Sequence, residues 1–107
     1  MIKLGTTLIL NADTEEDTAA LPDSASLCAI TCGLSYKATV TASSIDEAGF
    51  TYCIQRSIFT LNHTKLAPQE FPIRWHRKPE DIYPCLELVT ALLLCDTPIE
   101  TFAACIL

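Results

Sequence analysis

The chain has 107 residues, half of them apolar and about a fifth charged, which excludes an intrinsically disordered chain and suits one domain, 1–107, with a modest core. Thirteen Asp and Glu against seven Lys and Arg leave a formal charge of −6, so nucleic acid is repelled at long range unless the cations gather on one face. Three Gly and six Pro exclude collagen-like repeats, Gly/Ser linkers and a Gly-rich phosphate loop.

Taken in chain order, Ile2, Leu4, Leu8 and Leu10 alternate against Lys3, Gly5, Thr7 and Ile9. This predicts a strand over 2–10 buried on one face, with Ile9 breaking the pattern. Thr14-Glu15-Glu16-Asp17 reads as a helix start with acids at the positive end of the dipole, stopped at once by Pro22. Residues 26–44 read as extended, with a break at Gly33. Tyr36, Ala38, Val40 and Ala42 oppose Lys37, Thr39, Thr41 and Ser43, the period of two expected of an antiparallel strand with one wet face. Turn chemistry over Ser44–Gly49 joins this run to a second, Phe50–Leu61, so a long hairpin is expected over 35–61. The apolar parity reverses by Phe59 and Leu61, which predicts a bulge near Gln55-Arg56.

Phe71-Pro72-Ile73-Arg74-Trp75 predicts a short edge strand, where proline is tolerated. Ile82, Cys85, Leu86, Val89, Leu92 and Leu93 recur at helical spacing and predict a helix over about 84–95. Thr97-Pro98-Ile99-Glu100 carries a cap, a first-turn proline and a reciprocal acid, and starts a second helix with Ile99, Phe102, Ala103 and Ile106 on its inner stripe. The run Leu86–Cys95 is too short to span a membrane and carries Glu87. The expected architecture is α+β: a mainly antiparallel sheet of three to five strands with a C-terminal pair of helices packed on one face.

Charge is segregated along the chain. Residues 1–53 hold two cations and seven acids, residues 54–78 five cations and one acid, and residues 79–107 five acids and no cation. Within the basic middle, Arg74, Trp75, His76, Arg77 and Lys78 are consecutive, and Arg56 precedes them. Such residues could grip a carboxylate or phosphate with Trp75 as a stacking platform, and they form the expected partner-binding set. The competing reading anchors Trp75 in the core and leaves the cations solvated.

Six cysteines stand at 28, 32, 53, 85, 95 and 105. The opening MIKLGTTLILNA is a poor export signal, so reduced thiols in the cytoplasm are expected, and the sequon Asn62-His63-Thr64 is then silent. Cys28 and Cys32 have no second ligand pair, and on a strand they stand roughly 13 Å apart. Cys53 could meet His63 or His76 in space, yet nothing marks an electropositive thiol site. Glu15-Glu16-Asp17, Asp46-Glu47 and Glu80-Asp81 lie at turns and helix starts. No catalytic residue, metal or cofactor is therefore assigned.

The resulting expectation is a non-enzymatic, acidic interaction protein (an inhibitor, immunity-type factor or assembly subunit) that occludes a partner protein's surface, a nucleic-acid-binding protein being one such partner. Direct binding of nucleic acid or a phosphate ligand through 56–78 is the alternative. The helix at 84–95 carries more apolar surface than a small sheet needs, so Leu88, Ala91 and Leu94 are expected to meet a second copy in a homo-oligomer.

Overall fold

The computed structural model describes residues 2–13 and 28–102, with Cys28 described by its backbone only. The expected helix start at 14–17, its stop at Pro22, Ala103, Cys105 and Ile106 lie outside the described residues. The strands are β1 (Ile2–Leu4), β2 (Thr7–Asn11), β3 (Cys28–Cys32), β4 (Val40–Ser43), β5 (Gly49–Ile54), β6 (Ile58–Phe59), β7 (Lys65–Leu66) and β8 (Gln69–Arg74). Helix α1 runs Tyr83–Leu94 and the single-turn α2 runs Ile99–Phe102. This is a small α+β fold built on a mixed sheet of six strands, in the order β1-β2-β3-β4-β5-β8, beside a two-stranded ribbon β6-β7.

Three expectations are corrected. The sheet is mixed rather than mainly antiparallel, since β2 with β3 and β3 with β4 are parallel, and it has six strands rather than three to five. One strand over 2–10 becomes a hairpin, because Gly5 at φ +60° turns the chain between β1 and β2. Ile9 broke the alternation for the same reason that β2 is parallel to its neighbour: Thr7, Leu8, Ile9 and Leu10 are all buried, and a strand covered on both faces has no wet side to alternate with. The hairpin expected over 35–61 is limited to β4 and β5, paired from Val40↔Ile54 to Ser43↔Thr51. The parity reversal comes from the gap between the end of β5 at Ile54 and the start of β6 at Ile58.

The core lies between one sheet face and the helices. Ile9, Ile30, Cys32, Val40, Phe50, Tyr52, Ile54, Phe71 and Ile73 meet Leu86, Val89, Leu93 and Leu94 of α1 and Phe102 of α2. Both helices thus pack on one face, as expected, with α1 over β1–β4 and α2 against β8. Phe71 stacks on Phe102, with ring centroids 5.4 Å apart. The opposite face of β4, β5 and β8 presents Thr41, Ser43, Thr51, Cys53, Glu70, Pro72 and Arg74, which is short and polar enough to stay wet.

The edge strand β8 is held to β5 from Gly49↔Arg74 to Ile54↔Gln69. Trp75 N–H continues this ladder to the Ala48 carbonyl, at 3.3 Å. That fixes its phase: 71, 73 and 75 turn their main-chain groups toward β5, whereas 70, 72 and 74 turn outward. Pro72 therefore stands where the outer rim needs no N–H.

The joint between β3 and β4 positions the site described next. Their only paired residues are Cys32 and Val40, so β4 continues the sheet beyond the end of β3 instead of lying alongside it. Residues 28–30 consequently have an unpaired flank on that side among the described residues, while Thr31 is met by Thr39. The 55–59 segment borders this gap.

Candidate interaction surface

The basic set does not form one patch. Gly49 pairs with Arg74 at one end of β5, while Arg56 lies two residues beyond Ile54 at the other, roughly 20 Å away along the strand. Arg74, His76, Arg77 and Lys78 are exposed, but Trp75 is 5% exposed and stacks on Phe50 with centroids 5.3 Å apart. Its Nε1–H donates to the Glu47 carbonyl at 2.9 Å. Trp75 thus pins the 44–48 turn onto β8 and offers no stacking platform. The same turn brings Asp46 and Glu47 to this corner, Lys78 Nζ sits 3.9 Å from Glu47, and Glu80 and Asp81 follow directly. The three fixed cations of this segment thus have Glu47 beside Lys78 and two further acids next to them in the chain.

Arg56 is placed differently. Its Nη1 donates to the Lys37 carbonyl at 2.7 Å and to the Ala38 carbonyl at 3.0 Å, and Nη2 donates to the Tyr36 carbonyl at 3.4 Å. Gln55 Nε2 donates to the carbonyls of Ser35 and Ala38 at 3.0 and 2.9 Å, and Gln55 N–H to that of Thr39 at 2.8 Å. Every carbonyl from Ser35 to Thr39 is therefore held from below by two adjacent residues. The loop is rigid by construction, yet it leaves Tyr36 78% exposed at its tip.

Around Arg56 lies a cavity of about 160 Å³ lined by Ala29, Ile30, Thr39, Arg56, Ser57, Ile58 and Phe59. It occupies the gap left by the short β3–β4 overlap. Phe59 is 54% exposed at its rim and pairs across the ribbon with exposed Lys65. Lys37, Arg56 and Lys65 thus accompany two exposed aromatics, and residues 48–69 contain no acid. The sequence reading missed Tyr36, Lys37, Phe59 and Lys65. Its usable signals were the parity reversal at Gln55-Arg56 and that acid-free stretch.

Cys32, Tyr52 and Cys53 are held in contacts elsewhere. Tyr52 OH donates to Thr90 Oγ1 at 2.7 Å, Thr90 Oγ1 donates to the Leu86 carbonyl at 2.7 Å, and Cys32 Sγ lies 3.8 Å from Thr90 Oγ1. All three side chains are buried, and burial pushes the Cys32 thiol up to about 12 and the Tyr52 phenol higher still. Cys53 has Ser43, Thr51 and Glu70 as hydrogen-bond partners, with no histidine among them. Cys28 and Cys32 stand at the two ends of β3. Among the described residues no group of three or more His, Cys, Asp or Glu is placed to hold a metal.

The expected oligomer residues separate as well. Leu88 is 45% exposed on α1, Ala91 is half-buried, and Leu94 is fully buried in the core. Leu94 is corrected to a packing residue: it points at the sheet, while its carbonyl accepts from Leu61 N–H at 2.9 Å. Among the described residues no helix is long and apolar enough to cross a membrane. Compared with protein-family models, curated proteins and solved structures, the chain matches none of them.

Proposed function

We propose that this chain is a non-enzymatic interaction module of the cytoplasm, an inhibitor, immunity-type factor or assembly subunit, that works by covering the surface of a partner protein with the Tyr36–Arg56–Phe59 face. The observation that carries this reading is the Gln55-Arg56 clamp. Two side chains fix four consecutive carbonyls and the Gln55 main-chain N–H a fifth, and the loop so fixed displays a tyrosine to solvent. Pre-organised aromatic and arginine side chains are the usual centres of binding energy, because little conformational entropy remains to be lost on docking.

Two further facts favour a binding role over catalysis. Three cavities among the described residues hold about 160, 200 and 210 Å³, each below the 300–1,000 Å³ typical of small-molecule sites. Buried Cys32 and Tyr52 are tied to Thr90 and do not reach a cleft. The alternative of nucleic-acid binding through 56–78 drew on a single basic patch, and Arg56 stands apart from the Arg74–Lys78 corner. Self-association remains a proposal on narrower ground, through the outer stripe of α1 at Pro84, Leu88, Ala91 and Cys95.

Affinity capture from the host with the full chain tests the reading. A stoichiometric protein complex that Tyr36→Ala or Phe59→Ala weakens is the expected result. Retention of nucleic acid alone, falling steeply with salt, would overturn it.

A further inference from the structure

We infer that the cavity beside Arg56 receives an extended segment of a partner protein in which an Asp or Glu stands two residues from an apolar residue, on the same face of the strand. The inference rests on the interaction reading above and names the chemistry of the partner.

Three features of the site converge on that occupant. The first is the state of the guanidinium. Both Nη1–H groups and one Nη2–H are spent on loop carbonyls. Nε–H takes part in none of these bonds, and together with Nη2 it forms the side-on edge of the fork, which matches the two oxygens of a carboxylate. Among the described residues Nε–H has no partner. Because the other edge is bolted to the loop, the fork is already oriented when a carboxylate arrives. Lys37, whose carbonyl Arg56 holds, and Lys65, paired with Phe59, add positive charge.

The second feature is the cavity floor. Ile30 and Ile58 are buried beneath it and Phe59 forms its rim, so it accepts an apolar side chain and not a second charge. The third is the flank of β3. Ala12 N–H bonds to the Cys32 carbonyl, which shows that residue 32 faces β2, so Ala29 and Thr31 face the opposite way. Thr31 N–H is met there by Thr39 Oγ1 at 3.3 Å. The N–H and carbonyl of Ala29 point into the gap with no partner among the described residues. A main chain passing through in extended form would satisfy both, as strands added to open edges do. A free carboxylate or an isolated apolar group uses one feature each, whereas an acidic, apolar peptide uses all three.

Two-dimensional NMR of the full chain, titrated with the capped peptide acetyl-Ile-Thr-Glu-Thr-amide, tests this. The expected result is shifts confined to Ala29, Lys37–Thr39, Arg56–Phe59 and the Arg56 Nε–H. Replacing the peptide's glutamate by glutamine should weaken binding roughly tenfold, as should Arg56→Lys, which keeps the charge but not the fork. Phe59→Ala is exposed enough to fold normally and should cause a comparable loss, so the outcome does not hang on the Arg56 variant. Equal affinity for the glutamate and glutamine peptides, shifts elsewhere, or no binding would overturn the inference. Binding of the glutamine peptide only when its terminus is left as a free carboxylate would also overturn it, in favour of a chain end as occupant. If these peptides fail while a host partner is still captured in a Tyr36-dependent way, only the partner chemistry is wrong. If capture fails too, the interaction reading fails with it.

Discussion

The hydroxyl of Tyr52 on β5 and Oγ1 of Thr90 on α1 lie 2.7 Å apart in a fully buried setting, joining sheet to helix by a short hydrogen bond inside the core. Thr90 passes its own proton to the Leu86 carbonyl, so it can accept from Tyr52 without leaving a donor stranded. Thr90→Val should cost about 1–3 kcal/mol, since the Tyr52 hydroxyl is then buried with no acceptor. Tyr52→Phe should cost less, about 0.5–1.5 kcal/mol. The double variant should be more stable than the two single losses added together, and a denaturant double-mutant cycle checks this.

The thiols should differ sharply in reactivity. Among the four cysteines whose side chains are described, Cys95 is exposed and should react first with a thiol reagent under native conditions. Cys32, buried and with its thiol pushed up to about 12, should react only when the protein opens. Burial also raises the Cys85 thiol, so it should lag behind Cys95. Mass spectrometry of timed samples gives the order, and early labelling of Cys32 would contradict the packing of α1 on β3.

Alkaline stability follows from the same burial. The folded state raises Cys32 from 9.0 to about 12, and the Asp13 carboxylate, which accepts from Tyr83 OH at 2.6 Å, raises that phenol from 10.0 to about 12. Both groups hold their protons more tightly when folded, so the unfolded chain binds fewer protons in this window. Their stabilising contribution is whole below about pH 9 and is lost as pH climbs toward 12. Tyr83→Phe should flatten the upper part of the decline, and Cys32→Ala the earlier part, in urea melts taken across that range.

Leu88 and Leu94 are six residues apart on one helix and should answer opposite questions. Leu94→Ala empties a core position and should cost about 2–5 kcal/mol. Leu88→Asp should change monomer stability by no more than about 0.5 kcal/mol, while converting a self-associated wild type to monomer. Light scattering at micromolar concentration separates the cases. A wild type that is already monomeric ends the proposal for the α1 face.

At Gly49 the restriction is close approach. A Cβ there would sit 2.1 Å from the Ile73 carbonyl oxygen, inside the β5–β8 ladder. Gly49→Ala should therefore destabilise by about 1–3 kcal/mol and weaken the pairing that carries Arg74. Thermal melts with hydrogen exchange on β8 would register both effects.

Local patterns carried much of the fold. The alternation through Val40–Ser43 and Phe50–Ile54 marked β4 and β5, Pro72 marked an edge strand, and the spacing Ile82–Leu93 marked α1 to within a residue at either end. The parallel pairing of β2, β3 and β4 left no such mark, because strand order is set by long-range packing and a strand buried on both faces loses its alternation. The candidate surface was less legible still. Arg56 read as one more cation in a basic stretch, and its purpose is visible only once the carbonyls of residues 36–38, about 20 positions earlier, fold against it. Trp75 illustrates the reverse, a conspicuous aromatic among cations whose task is internal.

The proline at position 72 has a consequence beyond local geometry. A six-stranded sheet that stops with an unsatisfied border is a template on which identical chains can stack indefinitely. Here the border offers a gap in its donors flanked by Glu70 and Arg74, so a newcomer would forfeit a bond and meet fixed charge at the seam. Edge-to-edge stacking through β8 is disfavoured on both counts.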